Sequence, residues 1–248
     1  VGHLRRGHGD AVNTPSPAAG PALDHLVVMA SSLPEGVAWC EATLGVTPGP
    51  GGEHPLMGTH NRLLRIATPE FPLAYLEIIA INPGAVRGQR TPGSCWFDME
   101  NEALSARIAR LGPQLIHWVA RVPDVQTAVA ALSTQGIDRG PVLQASRATP
   151  EGLLQWQITV RNDGQRLFDG CLPTLIQWGA VHPAARMPDS GVTLQALELC
   201  HPEAGALRTA CDTLGLRQPA IRPGPARLSA RLQTPRGPVD LRSPDPMP

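Results

Sequence analysis

Short apolar runs followed by amphipathic stretches recur three times along the chain. Residues 24–46 contain a β-branched run, a turn and a stretch whose apolar side chains recur at helical spacing. Residues 115–137 and 191–216 repeat this succession. A glycine follows the last apolar position of each amphipathic stretch, which predicts where each helix ends. The pattern therefore predicts three strand–helix units.

Helix-capping residues and strand-like runs complete each unit. Ser32 and Glu35 have the spacing of a capping box, and Asp124 is expected to cap the second helix. Each helix precedes a turn rich in glycine or proline and then strand-like runs, at residues 60–67 and 75–81, 153–160 and 173–178, and 226–234 and 239–243. The unit is thus strand–helix–strand–strand, with room for an extra strand in its loop.

Such a unit exposes one face of a small sheet, so the copies must pack on one another. We expect one α+β domain over residues 22–245, built of units at about 22–98, 113–180 and 191–245. A helix-like stretch at 101–112 joins the first two units, and the third copy is short. Residues 1–21 are predicted to be a flexible N-terminal arm.

Charge and composition exclude several classes of function. The 248 residues carry 21 basic and 21 acidic side chains, a formal charge of zero, so we expect no nucleic acid or membrane partner. Every basic residue is arginine, which excludes Schiff-base lysine chemistry and a lysine-bearing phosphate loop. Aromatic residues make up 4%, too few for a base-stacking platform.

Cysteine usage and hydropathy indicate the compartment. The five cysteines are scattered without a C-x-x-C pair, so we expect mostly buried thiols in a reducing environment. No apolar run approaches the ~20 residues of a membrane-spanning helix. The first 20 residues lack the apolar stretch of a secretory signal. A cytoplasmic location is the prediction.

Two histidines and a glutamate are the first candidates for chemistry. His25 opens the first strand, and Glu77 lies among apolar residues in the last strand of the first unit. A carboxylate there is costly to bury unless it is paired, protonated or bound to metal. Aligning Asp124 on Ser32, 92 residues earlier, also places His117 on His25. The alternatives are a hydrogen-bonded residue that lines the cup for His25 and simple core filling for His117.

Further candidates lie in two polar stretches. GGEHPLMGTHN (51–61) carries His54, His60 and Asn61 among glycines, which allow the backbone to approach a ligand closely. Arg147, in SRATPEG (146–152), carries a guanidinium group that could bind a carboxylate or carbonyl group in a bidentate manner. These four residues are candidates for binding a substrate. The alternatives are an ordinary polar turn and a solvated arginine.

These motifs together resemble a known family. LDHLVV at the first strand, TLGV at the helix end, GGEHPLMGTHN and YLEIIA (75–80) resemble glyoxalase-like domain proteins, a bacterial group within the vicinal oxygen chelate superfamily. SRATPEGLLQWQITV, LFDGCLPTLIQWG, GVTLQALELCHP and TPRGPVDL are similar to the same group. The resemblance extends over nearly the whole chain after the arm.

The resemblance implies a fold and a ligand set. It implies βαβββ units whose sheets curl into a half-barrel around a cup, with helices packed outside. It also implies a divalent metal (Zn, Ni, Fe or Mn) held by His25, Glu77 and His117, with Glu77 also moving protons. The fourth ligand is left open between Asp169, Gln177 and water. The 92-residue spacing places Asp169 on Glu77, whereas matching the strand cores YLE and LIQ places Gln177 there. The third unit has Gln195 where the first has His25.

Two classes of function stay open at this point. The resemblance implies a small oxygenated or hydrophobic molecule bound in the cup, either by a metal-dependent lyase, isomerase or dioxygenase or by a non-catalytic module that sequesters it without metal. A degenerate site whose polar residues only bond one another is the third alternative. A monomer and a homodimer are both compatible with the sequence.

Overall fold

A computed structural model describes residues 20–85, 95–150 and 152–245. The arm expected over residues 1–21 lies outside these ranges except for its last two positions. Twelve strands and four α-helices follow one another in the described residues. The predicted α+β class is confirmed.

The first unit holds four strands and one helix. Its elements are β1 (Ala22–Met29), α1 (Leu33–Leu44), β2 (Glu53–His54), β3 (Thr59–Arg65) and β4 (Tyr75–Ile81). As predicted, the Ser32 side chain accepts a hydrogen bond from the backbone N–H of Glu35. Gly45 ends α1 with φ of 76°, a left-handed conformation that glycine adopts readily.

The second unit repeats the first. The bridging helix α2 (Glu102–Leu111) precedes it, and its elements are β5 (Gln114–Arg121), α3 (Val125–Ser133), β6 (Val142–Thr149), β7 (Gly152–Thr159) and β8 (Thr174–Trp178). The Asp124 side chain caps α3 by accepting from the backbone N–H of Thr127 at 3.0 Å.

The two units form one eight-stranded sheet in the order β2-β3-β4-β1-β5-β8-β7-β6. β1 and β5 pair antiparallel at its centre, and each also pairs in parallel with the last strand of its own unit, β4 or β8. The sheet is curled: Gly52, just before β2 at one edge, lies against the Arg147 side chain of β6 at the other edge. The half-barrel expected from the resemblance is confirmed.

The third stretch repeats the succession of elements but not their pairing. Its elements are β9 (Thr193–His201), α4 (Ala204–Thr213), β10 (Ala220–Pro223), β11 (Arg227–Thr234) and β12 (Gly237–Arg242). The strand order is β10-β9-β11-β12, so β9 pairs with β10 and β11 rather than with the last strand. Similar sequence periodicity therefore accompanies a different sheet topology.

Alternation along β1 separates two cores. Leu26 and Val28 pack with the helices and the four-stranded sheet. Val27 and Met29 point to the opposite, concave face, where Trp96, Phe97 and α2 cover part of the sheet. His25 and Glu77 share the concave face, because side chains two residues apart lie on one side of a strand.

The buried thiols expected from the sequence are confirmed at four of the five positions, Cys40, Cys95, Cys171 and Cys211. Burial raises the pKa of the Cys40, Cys171 and Cys211 thiols to about 12. They are therefore protonated at neutral pH and poor nucleophiles. Among the described residues, no helix has both the length and the apolar character needed to cross a membrane.

Candidate functional site

The floor of the cup is a buried histidine–glutamate pair. Val27 of β1 lies opposite Glu77 of β4, so the side chains of His25 and Glu77 meet diagonally across the two strands. His25 Nε2 lies 3.6 Å from Glu77 Oε2, and both residues are buried. The structure therefore brings together two of the residues selected from the sequence.

Asp24 stands behind His25 and fixes its ring. Asp24 Oδ1 accepts from His25 Nδ1 at 2.7 Å, and Oδ2 accepts from Trp178 Nε1 at 2.9 Å and from His182 Nε2 at 2.8 Å. Burial alone raises the pKa of this carboxyl, but the hydrogen bonds from His182 and His25 outweigh it and hold the pKa below its ordinary range. Asp24 is thus a buried anion that orients the imidazole.

Asp24 was not selected from the sequence, because in a regular strand its side chain would point away from the face that His25 occupies. The pairing of β1 with β5 is irregular between Leu23 and His25, which leaves Asp24 as an extra residue in the ladder. Such a bulge re-aims side chains. No feature of the sequence marks this irregularity.

The orientation of His25 determines the chemistry of the pair. Because Nδ1 donates to a carboxylate, Nε2 is the atom that faces Glu77 and the cavity. The ring also stacks on Tyr75, with centroids 4.6 Å apart. The pair therefore places an imidazole nitrogen and a carboxylate oxygen side by side at the cavity.

Asn61 orients the other oxygen of Glu77. Its Nδ2 donates to Glu77 Oε1 at 2.6 Å, and its Oδ1 accepts from the backbone N–H of Gly52 at 2.8 Å. The Gly52 contact settles which end of the amide faces the carboxylate. Asn61 therefore lies beside Glu77 and positions its carboxylate, whereas the predicted binding of a substrate by Asn61 stays a prediction.

His54 and His60, both predicted to bind substrate, lie in different places. His54 lines the cavity, and its Nδ1 lies 3.0 Å from Thr59 Oγ1. Burial lowers the pKa of His54 to about 4, so its ring is neutral at pH 7. His60 does not line either of the two cavities described below, because it neighbours Asn61 in β3 and points to the opposite face. The prediction for His60 is therefore not supported by its position.

Arg147 lies on strand β6 rather than in a solvated loop. A Cβ atom at Gly52 would lie 2.1 Å from Arg147 Nη1, so the guanidinium rests directly on the Gly52 backbone. Nη1 is buried and has no hydrogen-bond partner among the described residues. A buried donor without a protein acceptor can donate to a ligand or to a water molecule in the cavity.

Two cavities meet at Arg147. The inner cavity, about 40 Å³, lies over the His25–Glu77 pair between the rings of Trp96, Phe97, Trp156 and Trp178. That volume is close to the room that one water molecule needs. The chamber, about 570 Å³, lies outside it. Both are lined by the same four boundary residues, Leu63, Arg147, Leu154 and Pro183.

His117 does not join His25 and Glu77. Its Nδ1 lies 2.9 Å from the Gly170 carbonyl, and its Nε2 accepts from the backbone N–H of Thr174 at 3.1 Å. Burial, followed by the charges of Arg166 and Arg139, holds its pKa well below the ordinary value, so the ring is neutral. Both nitrogens are engaged, and the predicted role of His117 as a metal ligand is not supported by this arrangement.

The position expected to hold the fourth metal ligand is occupied by Thr174, which the alignment of the two units did not select. Val27 and Val119 are equivalent, because they are 92 residues apart. Glu77 lies opposite Val27 in the first unit, and Thr174 lies opposite Val119 in the second. Asp169 instead sits in a short 3₁₀ turn with its Oδ2 3.3 Å from His201 Nε2. Gln177 Oε1 accepts from the backbone N–H of Val125 at the start of α3. Neither faces the floor of the cup.

The donor set does not fit the expected metal. Two donors converge, His25 Nε2 and the Glu77 carboxylate, whereas protein sites for Zn²⁺ supply at least three. Within the part of the chain that the structure describes, no group of three or more His, Cys, Asp or Glu side chains is arranged to hold an ion. The described residues thus supply a histidine–carboxylate pair and an arginine at a cavity, but no complete ligand set.

Comparisons with known proteins agree with the fold. The model of the glyoxalase-like domain matches residues 23–215. A hypothetical protein from Staphylococcus aureus is 13% identical over 91% of this chain and 86% of that chain, with a TM-score of 0.53. No curated protein sequence matches the chain.

Two epimerase structures are more distant. Methylmalonyl-CoA epimerase from Mycobacterium tuberculosis is 16% identical over 68% of this chain and 92% of that chain, with a TM-score of 0.36. The Streptomyces coelicolor enzyme in complex with 2-nitronate-propionyl-CoA is 16% identical over 63% and 92%, with a TM-score of 0.38. At these scores neither supports an argument about activity.

Proposed function

Because this chain belongs to the glyoxalase-like domain family of the vicinal oxygen chelate superfamily, we propose that its cup binds a small oxygenated organic molecule and moves a proton on it. The observation that carries the proposal is the buried His25–Glu77 pair, backed by Asp24 and facing a cavity that adjoins the chamber. The reaction class is isomerisation or lyase chemistry at a carbon next to a carbonyl group.

Glu77 is the proposed proton acceptor. Asn61 holds Oε1 by a hydrogen bond of 2.6 Å, which leaves Oε2 directed towards His25 and the cavity. Removal of a proton by Oε2 leaves the electron pair of the C–H bond on the substrate as an enolate. Return of the proton to the other face of that carbon, or to a neighbouring atom, completes an isomerisation.

Arg147 is the proposed partner of the substrate oxygen. Its unpartnered Nη1 lies at the boundary between the two cavities, where it can donate to a carbonyl oxygen or a carboxylate. A cationic donor at a developing enolate oxygen stabilises the charge that forms in the transition state. His54, with a neutral ring, contributes a polar wall.

The inner cavity has to widen for this chemistry. About 40 Å³ does not admit a molecule larger than water, so a substrate reaches Glu77 only when boundary side chains such as Arg147 or Leu154 move. Binding and catalysis are therefore separable: a molecule that stays in the chamber is sequestered without reacting.

Exchange of carbon-bound protons tests the proposal. Pyruvate and 2-oxobutyrate in D₂O are incubated with the protein, and loss of the C3 proton signal is followed by NMR. We expect exchange above the buffer rate with the wild type and a loss of about 100-fold or more in Glu77→Gln. Glu53→Gln, at an exposed position of β2, is the matched control and keeps the wild-type rate.

The outcomes separate the two classes of function. Binding of these acids without faster exchange contradicts the catalytic proposal and favours sequestration. Exchange that survives in Glu77→Gln contradicts the assignment of the base.

A further inference from the structure

We propose that the chamber selects organic anions with an apolar body, and that Arg65 and Arg147 together bind the anionic group. The inference deepens the proposed function, on which it rests, by naming the class of molecule that enters the cup. Arg65 was not among the candidates derived from the sequence.

Two arginines in the chamber have unused donors. Arg65 Nε and Arg147 Nη1 are both buried and without a hydrogen-bond partner among the described residues, and both side chains line the chamber. Arg65 ends β3, whereas Arg147 lies on β6 at the other edge of the sheet. The curl of the sheet therefore places two cationic side chains from distant elements around one space.

The balance of charge in the chamber favours an anion. Arg186 also contributes to the lining, at an exposed position of the rim. Among the lining residues that the structure describes, Asp189 is the one carboxylate, and its Oδ1 accepts from the backbone N–H of Gly191. Guanidinium groups bind carboxylate and phosphate oxygens in a planar, bidentate manner. The surplus of positive charge thus matches a negatively charged group.

The walls of the chamber favour an apolar body. Leu63 and Leu154 are buried at the boundary, and further lining side chains are apolar: Leu64, Leu153, Val181, Met187, Pro150, Pro183 and Pro188. The volume of about 570 Å³ falls within the range of small-molecule sites, roughly 300–1,000 Å³. An aromatic or aliphatic carboxylate fits both the charge and the walls.

The position of Arg147 links selection to chemistry. Because its guanidinium rests on Gly52 at the boundary, an anion held there lies next to the inner cavity and not at the outer rim. The same loop carries Gly51, where a Cβ atom would lie 2.2 Å from the backbone oxygen of Asn61. The two glycines therefore let the loop pack against both Asn61, which orients Glu77, and Arg147.

Calorimetric titration with sodium benzoate and with its neutral analogue benzyl alcohol tests the inference. We expect benzoate to bind the wild type at least tenfold more tightly than benzyl alcohol does. Arg65→Gln and Arg147→Gln each weaken benzoate binding at least tenfold. Arg62→Gln is the control, because Arg62 lies on the same strand as Arg65 but is exposed on its other face, and it binds like the wild type.

Equal affinity for benzoate and benzyl alcohol overturns the inference, and so does unchanged benzoate binding in both chamber variants. Thermal unfolding of each variant checks that it is folded, and a second pair, Arg65→Lys and Arg147→Lys, keeps the charge if either glutamine variant unfolds. The lysine pair is expected to restore only part of the affinity, because an ammonium group lacks the bidentate geometry. Lysine variants that bind benzoate no better than folded glutamine variants contradict a role for charge.

Failure of this inference and failure of the proposed function are distinguishable. If benzoate binds as expected but no 2-oxo acid exchanges its protons, the anion chamber stands and the catalytic proposal falls. If exchange depends on Glu77 but neither arginine variant weakens benzoate binding, the assignment of Glu77 as the base stands and the inference falls.

Discussion

Replacing Asp24 with asparagine removes the buried charge behind the site. The carboxylate accepts three side-chain hydrogen bonds, at 2.7, 2.9 and 2.8 Å, from His25, Trp178 and His182. Hydrogen bonds to a charged group contribute about 1.5–3 kcal/mol each, against about 1 kcal/mol for neutral pairs. Since asparagine keeps one acceptor oxygen and similar volume, we expect Asp24→Asn to lower the free energy of unfolding by about 2–4 kcal/mol.

The lowered pKa of Asp24 also predicts how the difference in unfolding free energy between the variant and the wild type changes with pH. The folded-state pKa of Asp24 lies below its unfolded value, so its stabilisation is present above about pH 4 and is lost as the pH falls towards the folded pKa. The variant lacks this component, and its unfolding free energy therefore approaches that of the wild type as the pH falls below 4.

Urea unfolding followed by tryptophan fluorescence at pH 7 and at pH 3 measures both effects. Asp240→Asn is the control, because Asp240 forms an exposed ion pair with Arg231 on the four-stranded sheet. The control is expected to unfold close to the wild type at both pH values. An Asp24→Asn protein within 0.5 kcal/mol of the wild type at pH 7, well below the ~2 kcal/mol derived from the hydrogen bonds, refutes the reasoning.

Three further predictions concern the glycine loop, a buried histidine and the metal. Gly52→Ala is expected to weaken benzoate binding about tenfold with little loss of stability, because the added Cβ displaces the flexible end of the Arg147 side chain. In Gly51→Ala the added Cβ collides with the backbone of Asn61, and we expect urea unfolding to show a free energy of unfolding lower by about 1–3 kcal/mol. Because the folded pKa of His54 is about 4, its contribution to stability falls as the pH decreases from about 6.5 to 4. His54→Gln is expected to flatten that part of the curve of unfolding free energy against pH. An unchanged slope in the variant contradicts this prediction. Protein purified without chelator is expected to hold less than one divalent ion per chain by elemental analysis, since both nitrogens of His117 are engaged; one ion per chain contradicts the donor set described above.

Features set by local contacts could be predicted from the sequence. The Ser32 and Asp124 caps depend on residues three positions away, and both form. The 92-residue spacing also predicted that His25 and His117 are equivalent, and the ladder agrees: His25 lies opposite Val119, and Val27 opposite His117. A repeated unit can be recognised from a single sequence because each copy shows the same succession of apolar and polar positions.

Features set by register and bulges could not be predicted. Thr174 replaces the expected fourth ligand because the turn at Phe168–Gly170 sets where β8 begins, and a one-residue slip there changes which side chain faces the cup. Asp24 enters the site through an irregular ladder. The position of His60, by contrast, was available from the sequence: strand alternation separates it from Asn61.

The pairing of the third unit was hidden for a related reason. Its strands carry the same alternation as those of the first two units, but hydrogen-bonding partners depend on packing against the large sheet. β9 pairs with β10 and β11 instead of β12.

A crystal structure of the protein with 4-bromobenzoate tests the central claim most directly, because the anomalous signal of bromine locates the ligand independently of the protein. We expect the bromine in the chamber among Leu153, Val181 and Met187, with the carboxylate bound by both Arg65 and Arg147. A bromine site elsewhere on the molecule, or a carboxylate turned away from either arginine, contradicts the account.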